Sequence, residues 1–141
     1  MPELASVLVL RCAGFLCALP VAQVAEVFRP LPVEALGSAP AFVRGMARVR
    51  GVAVPVVELA WLLGAGSPRE AQRWVALKAD GRCVVLAVDE VLDVRDLDPQ
   101  AMEAMPPLLA AGAPAVESLG SLDSKLLLIL QAGRLVPELA A

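Results

Sequence analysis

Three arginines stand close together in a strand-like run: Arg44, Arg48 and Arg50, with Met46 between them. Successive side chains of a strand point to opposite faces, so positions 44, 46, 48 and 50 fall on one face. A guanidinium carries five N–H donors in a planar fork suited to carboxylates and backbone carbonyls. Such a face fits an acidic protein surface; solvated strand positions are the plainer alternative. For Arg50 the choice is between an interface contact and an internal salt bridge to a carboxylate such as Glu26 or Glu58. Val24 and Glu26, two apart in another strand-like run, would place an apolar and an anionic group together at a rim, with a core valine and a surface glutamate as the alternative. Leu31 and Val33, interleaved with Pro30 and Pro32, are candidate exposed apolar contacts.

The sequence offers little for bond-making chemistry. It contains no histidine, which removes the commonest general base, the Ser-His and Cys-His nucleophile pairs and most zinc sites. Its three cysteines, Cys12, Cys17 and Cys83, have no metal-like spacing, and an odd number argues against a complete disulfide framework. Buried free thiols are expected. Asp89, Glu90, Asp93, Asp96 and Asp98 lack the alternating pattern and distal glutamate of a calcium loop, so they read as a solvated acidic edge. Trp61 and Trp74 read as buried packing residues. No cofactor or metal site is expected.

The elements that would position these residues are short strands. SVLVLRC (6–12) and FLCALP (15–20) flank Ala13-Gly14; WVALKA (74–79) and CVVLAVDEV (83–91) flank Asp80-Gly81; SLGSL (118–122) and KLLLILQ (125–131) flank Asp123-Ser124. Each spacing predicts a hairpin. CVVLAV and KLLLIL are apolar on both faces, whereas half-exposed strands alternate with polar residues. Sheets covered on both sides are implied, as when two small barrels pack together. Pro55 cannot donate to a ladder, which predicts an edge or a bulge there; Gly45 and Gly51 suit a turn or a close backbone approach. Helical signals are short: 58–63 ended by Gly64, a capping-box pattern at 67–70, 98–105 and 133–139.

The ordered run of motifs resembles the CheW family of chemosensory coupling proteins. That family carries a V-x-E-V/I strand, then P-x-F-I-x-G-x-x-N-L-R-G-x-x-I-P-V-I-D-L. Here Val24-Ala25-Glu26-Val27 supplies the first part, and Pro40-Ala41-Phe42-Val43-Arg44-Gly45, Arg50-Gly51 and Val54-Pro55-Val56-Val57-Glu58-Leu59 supply the second. CVVLAVDEVLDV (83–94) and GSLDSKLLLIL (120–130) resemble later family strands. The resemblance implies an all-β fold of two SH3-like five-stranded barrels around a shared core, as one domain over 1–141. It also implies a non-enzymatic adaptor joining the cytoplasmic tips of methyl-accepting chemoreceptors to the regulatory domain of a CheA-type histidine kinase. Partner-binding positions carried over are Val24, Glu26, Arg44, Gly45, Arg48, Arg50 and Gly51. In the family the residue matching Arg50 is associated with receptor coupling, by direct contact or by fixing the junction. Arg48, Glu58 and Gln131 stand where the family usually has Asn, Asp and Asp. These departures leave room for a divergent adaptor of another chemosensory pathway, such as pilus motility or development.

Composition is consistent with a partner-binding protein. Of 141 residues 58% are hydrophobic, with ten glycines besides, against roughly 45–50% for both together in a typical soluble domain. Apolar side chains that exceed the available interior reach the surface, where contiguous patches mark partner sites. A net charge of −3, no basic run and 4% aromatics argue against nucleic-acid binding. The Met-Pro-Glu start lacks the positive charge of a signal peptide, Arg11 interrupts the first apolar stretch, and no run of about 20 uncharged apolar residues is present. A cytoplasmic protein recruited to membrane-associated receptor arrays is expected.

Overall fold

The computed structural model describes residues 5–64, 72–79, 81–104 and 115–137. Along the chain, β1 (Ala5–Cys12) and β2 (Phe15–Pro20) form the first hairpin, and a 3-10 turn at Val21–Gln23 leads to β3 (Val24–Phe28). After a long connection come β4 (Val43–Val49), β5 (Val52–Glu58) and a one-turn helix α1 (Leu59–Leu62). They are followed by β6 (Arg73–Ala79), β7 (Arg82–Val88) and β8 (Glu90–Leu97). The short β9 (Glu103–Ala104), β10 (Val116–Leu122) and β11 (Lys125–Leu130) complete the strands. They make two sheets, ordered β8-β1-β2-β11-β10-β9 and β3-β6-β7-β5-β4. The all-β expectation holds, and the six-stranded sheet includes the two-residue β9. Each sheet is antiparallel except for one parallel pair, β2 with β11 and β5 with β7.

Two-residue hairpin turns of type I′, which match the strand twist, need positive φ at both central positions. Ala13 and Gly14 (53° and 84°), Arg50 and Gly51 (52° and 81°), and Asp123 and Ser124 (51° and 66°) all have it. Asp80 and the capping-box residues 67–70 lie outside the described residues. The chain changes sheets twice, at Val21–Gln23 and at Asp89. The second change interrupts the strand expected over 83–91. It is pinned to the first hairpin, because Asp89 N–H donates to the Arg11 carbonyl at 3.2 Å and the Ala13 N–H donates to Asp89 Oδ2 at 2.9 Å.

Apolar residues on both strand faces produce three cores. Leu8, Leu10, Leu19, Leu128 and Leu130 of the first sheet meet Val57, Val75, Leu77, Val84 and Leu86 of the second in a shared centre. Alternate residues of the same strands point outward from it: Val7, Val9, Ala18, Leu127 and Ile129 form one outer core. Val54, Val56, Trp74, Val85 and Ala87 form the other. This three-layer arrangement accounts for strands with no polar face.

Several expectations need correction. Pro55 lies neither at an edge nor at a bulged residue: β5 is interior, Pro55 faces Met46, and the parallel ladder to β7 begins one residue later at Val56. The missing N–H is therefore harmless, since the second neighbour has not yet joined. Residues 98–105 give only a 3-10 turn at Pro99–Ala101 before β9, and Met105 lies outside the described residues. The expected terminal helix is reduced to a 3-10 turn at Ala132–Arg134, with 138 and 139 outside. Trp61 is 39% exposed, because α1 buries Leu59 and Ala60 instead. Cys83 is exposed, while Cys12 and Cys17 are buried and in no disulfide. Burial, reinforced by neighbouring Cys12, pushes the Cys17 thiol far above its ordinary range.

Candidate functional site

The hairpin joining β4 and β5 carries most of the expected partner-binding positions. Val49 pairs with Val52, leaving Arg50 and Gly51 as the turn. Arg50 therefore sits at a tip, and not on the strand face that carries Met46 and Arg48. From that tip its guanidinium grips Glu26 side-on, Nε donating to Oε2 at 3.0 Å and Nη2 to Oε1 at 2.8 Å. The pair ties the β4–β5 turn to β3, at the far edge of the same sheet. The hydrogen bonds from Arg50 hold the Glu26 carboxyl below its usual range, and those same bonds raise Arg50 further. Side-chain exposure is 79% for Arg50 and 32% for Glu26, so water and salt screen the attraction. Its chief effect is orientation: a planar fork fixed at one edge still presents free N–H donors to an incoming acceptor. Arg48 supports the turn, its Nη1 donating to the Gly51 carbonyl at 3.4 Å.

Behind this ion pair lies a mainly apolar recess of about 350 Å³, bordered by Val49, Val52, Val54, Ala76, Leu77 and Val85. Val52 is 59% exposed. Lys78 and Cys83 complete its rim. These β6 and β7 positions went unnoticed in the sequence. The 79–82 pairing of their hairpin places them there, and the turn signal at 80–81 was the one available clue.

The remaining expected positions are separated by bulges. In β3, Val24 pairs with Leu77 and Glu26 with Ala76, leaving Ala25 as the extra residue. Directly opposed residues share a face, so Val24 turns toward the shared core and Glu26 toward the other side. They do not sit side by side as period-two reasoning expects, because the bulge resets the alternation. In β4 the extra residue is Arg44, between the Val43–Val57 and Gly45–Val56 pairs. Arg44 Nη1 lies 3.1 Å from Glu58 Oε1, at the end of β4 away from Arg50. Partial burial raises the Glu58 carboxyl above its ordinary range despite the opposing pull of Arg44, with Asp89 adding to the rise.

Gly45 serves a close approach. The connection at Val33–Glu34 lies across β4, with Glu34 N–H donating to the Met46 carbonyl and Met46 N–H to the Glu34 carbonyl, both at 2.8 Å. At φ +152°, a Cβ on Gly45 would strike the Glu34 carbonyl oxygen and come within 2.8 Å of Glu34 C and Val33 Cγ1. A Cβ on Gly51 would meet nothing within 4 Å, so its role is conformational. Leu31 is exposed, as expected, whereas Val33 packs against the outer core of the second sheet.

Among the described residues, no group of three or more His, Cys, Asp or Glu side chains could hold a metal ion. The acidic residues of 89–98 largely have local partners: Glu90 with Arg11, Asp96 with Ser6 and Asp98 with the Gln100 N–H. No helix among the described residues is long and apolar enough to cross a membrane.

Two interlocked sheets around a shared core match known proteins. The family model of the CheW-like domain covers residues 6–140. The chain belongs to the CheW-like domain family. A solved relative is the scaffolding protein TtCheW from Thermoanaerobacter tengcongensis, 26% identical, with a TM-score of 0.81 over 92% of this chain and 86% of that one. Comparison with curated protein sequences gave no match. In this CheW-like domain the Pro40–Leu59 stretch forms β4, its turn and β5, so the most characteristic family motif builds one hairpin and its docking to the strap at Val33–Glu34.

Proposed function

We propose that this CheW-like domain is a non-enzymatic adaptor that couples methyl-accepting chemoreceptors to a CheA-type histidine kinase. The observation that carries the reading is the family match over residues 6–140, joined to a fold shared with a scaffolding protein. The site chemistry supports it. A Glu-braced Arg50 beside an apolar recess offers oriented donors next to apolar area, a combination suited to protein recognition. Glu26, Arg48, Arg50 and Gly51 are the residues proposed to shape the receptor-facing end. Arg44 and Gly45 act from the other end of β4, and Val24 acts through the core beneath it. The protein works in the cytoplasm, brought to the membrane by its receptors.

The reading is tested by titrating the chain against a CheA-type regulatory domain and, separately, against a receptor cytoplasmic tip from the same organism. Saturable binding to each, with both bound at once, is expected. Binding to neither would overturn the proposal; binding to the kinase alone would favour a divergent adaptor, the reading that Arg48, Glu58 and Gln131 allow.

A further inference from the structure

A second groove lies at the opposite end of β4 from Arg50, about 20 Å along the strand by its rise per residue. It encloses about 840 Å³, within the usual range of small-molecule sites. Three arginines line it, Arg29, Arg44 and Arg73, together with Pro30, Leu31, Pro32 and Trp74; none of its described lining residues is acidic. The three arginines come from the β3–β4 connection, the bulge of β4 and the start of β6, so no sequence spacing brings them together. Their donors are mostly unspent. Arg44 gives one N–H to Glu58, Arg73 gives one to the Gln72 carbonyl at 2.8 Å, and Arg29 makes no hydrogen bond or ion pair among the described residues. The uncommitted donors of three guanidinium groups around one groove give it a positive potential that attracts an anion.

Trp74 supplies a spectroscopic reporter beside the groove. It is 1% exposed, and its indole Nε1 is the one buried side-chain nitrogen or oxygen without a hydrogen-bond partner among the described residues. Phe28 holds the ring edge-on, with centroids 6.1 Å apart. Because Trp74 borders the groove, its emission reports on what binds there.

We propose that this groove binds a small, multiply charged anion bearing carboxylate or phosphate groups. Guanidinium forks would take the anionic oxygens in charge-assisted hydrogen bonds, and the proline–leucine wall would cover the ligand's apolar part. The site is separate from the Arg50 end and does not depend on the adaptor reading.

The test uses the full chain with Trp61→Phe, which leaves Trp74 as the sole tryptophan. Citrate and tripolyphosphate are each titrated at constant ionic strength while Trp74 emission is followed. A saturable change with either supports the proposal, and which one saturates identifies the acid group. The added pair Arg29→Gln and Arg73→Gln should weaken binding about tenfold or more, whereas Arg95→Gln, on the other sheet, should leave it unchanged. Circular dichroism checks the folding of the double variant; if it does not fold, Arg29→Gln alone carries the comparison. No saturable response to either anion, an equal response in the arginine variants, or binding only of a glutamate-rich peptide would overturn the proposal.

Discussion

At the scale of single residues, Glu26 and Glu58 sit in opposite electrostatic situations although both face an arginine. Hydrogen bonds from Arg50 lower Glu26, so the folded state favours its charged form. That contribution is present above the ordinary carboxylate value of 4.5 and is lost as pH falls through the lowered value. Burial raises Glu58, so the folded state favours its neutral form; its contribution is greatest below 4.5 and diminishes as pH rises through the raised value. Urea unfolding of Glu26→Gln and Glu58→Gln beside the parent should show this directly. From acidic to neutral pH, the parent's advantage over Glu26→Gln should grow and its advantage over Glu58→Gln should shrink. A change of the same sign in both would contradict the assignment. Arg50 with Glu26 or Glu58 as partner was legible from residue types alone. The choice between them was not, because it depends on a turn at 50–51 that carries the guanidinium back across the sheet.

At the scale of elements, turns and bulges decide where side chains point. Hairpin turns announce themselves through pairs such as Ala13-Gly14 and Asp123-Ser124 between apolar runs. Bulges do not: Ala25, Arg44, Leu92 and Glu117 are the extra residues in β3, β4, β8 and β10, and nothing in their types marks them. Each shifts the alternation by one, letting a single strand serve the shared core at one end and an outer core at the other. This is why Val24 and Glu26 part company, and why a face of three arginines was expected where the chain has a bulge, a strand position and a turn. The two motif glycines can be told apart by substitution. Gly45→Ala combines a strained backbone with a clash against the strap, and should cost about 2–5 kcal/mol in urea unfolding. Gly51→Ala meets open space and should cost about 1 kcal/mol, the price of a left-handed residue. Equal losses at the two positions would refute the close-approach role of Gly45.

At the scale of the whole molecule, one sheet is a continuous stretch of chain, β3 to β7, inserted into the other, which is assembled from β1, β2 and β8 to β11. Two-faced apolar strands such as CVVLAV made the covered sheets legible. The partnering of β2 with β11 was not, since a parallel pair between the first hairpin and the last leaves no local signal. The shared core has an energetic consequence. Leu86, fully buried there between strands of both sheets, should lose about 2–5 kcal/mol as Leu86→Ala. Tryptophan emission and circular dichroism should still report one coincident transition; separate transitions would mean that the sheets are energetically independent.

The adaptor reading rests on the ability to bridge, which a co-sedimentation experiment measures most directly. Receptor-bearing membranes are mixed with a CheA-type kinase, with and without this chain, and pelleted. The account predicts that kinase enters the pellet only when the chain is present, and that Arg50→Ala reduces the amount carried down while the variant still binds soluble kinase. Kinase pelleting that is indifferent to the chain would contradict the account.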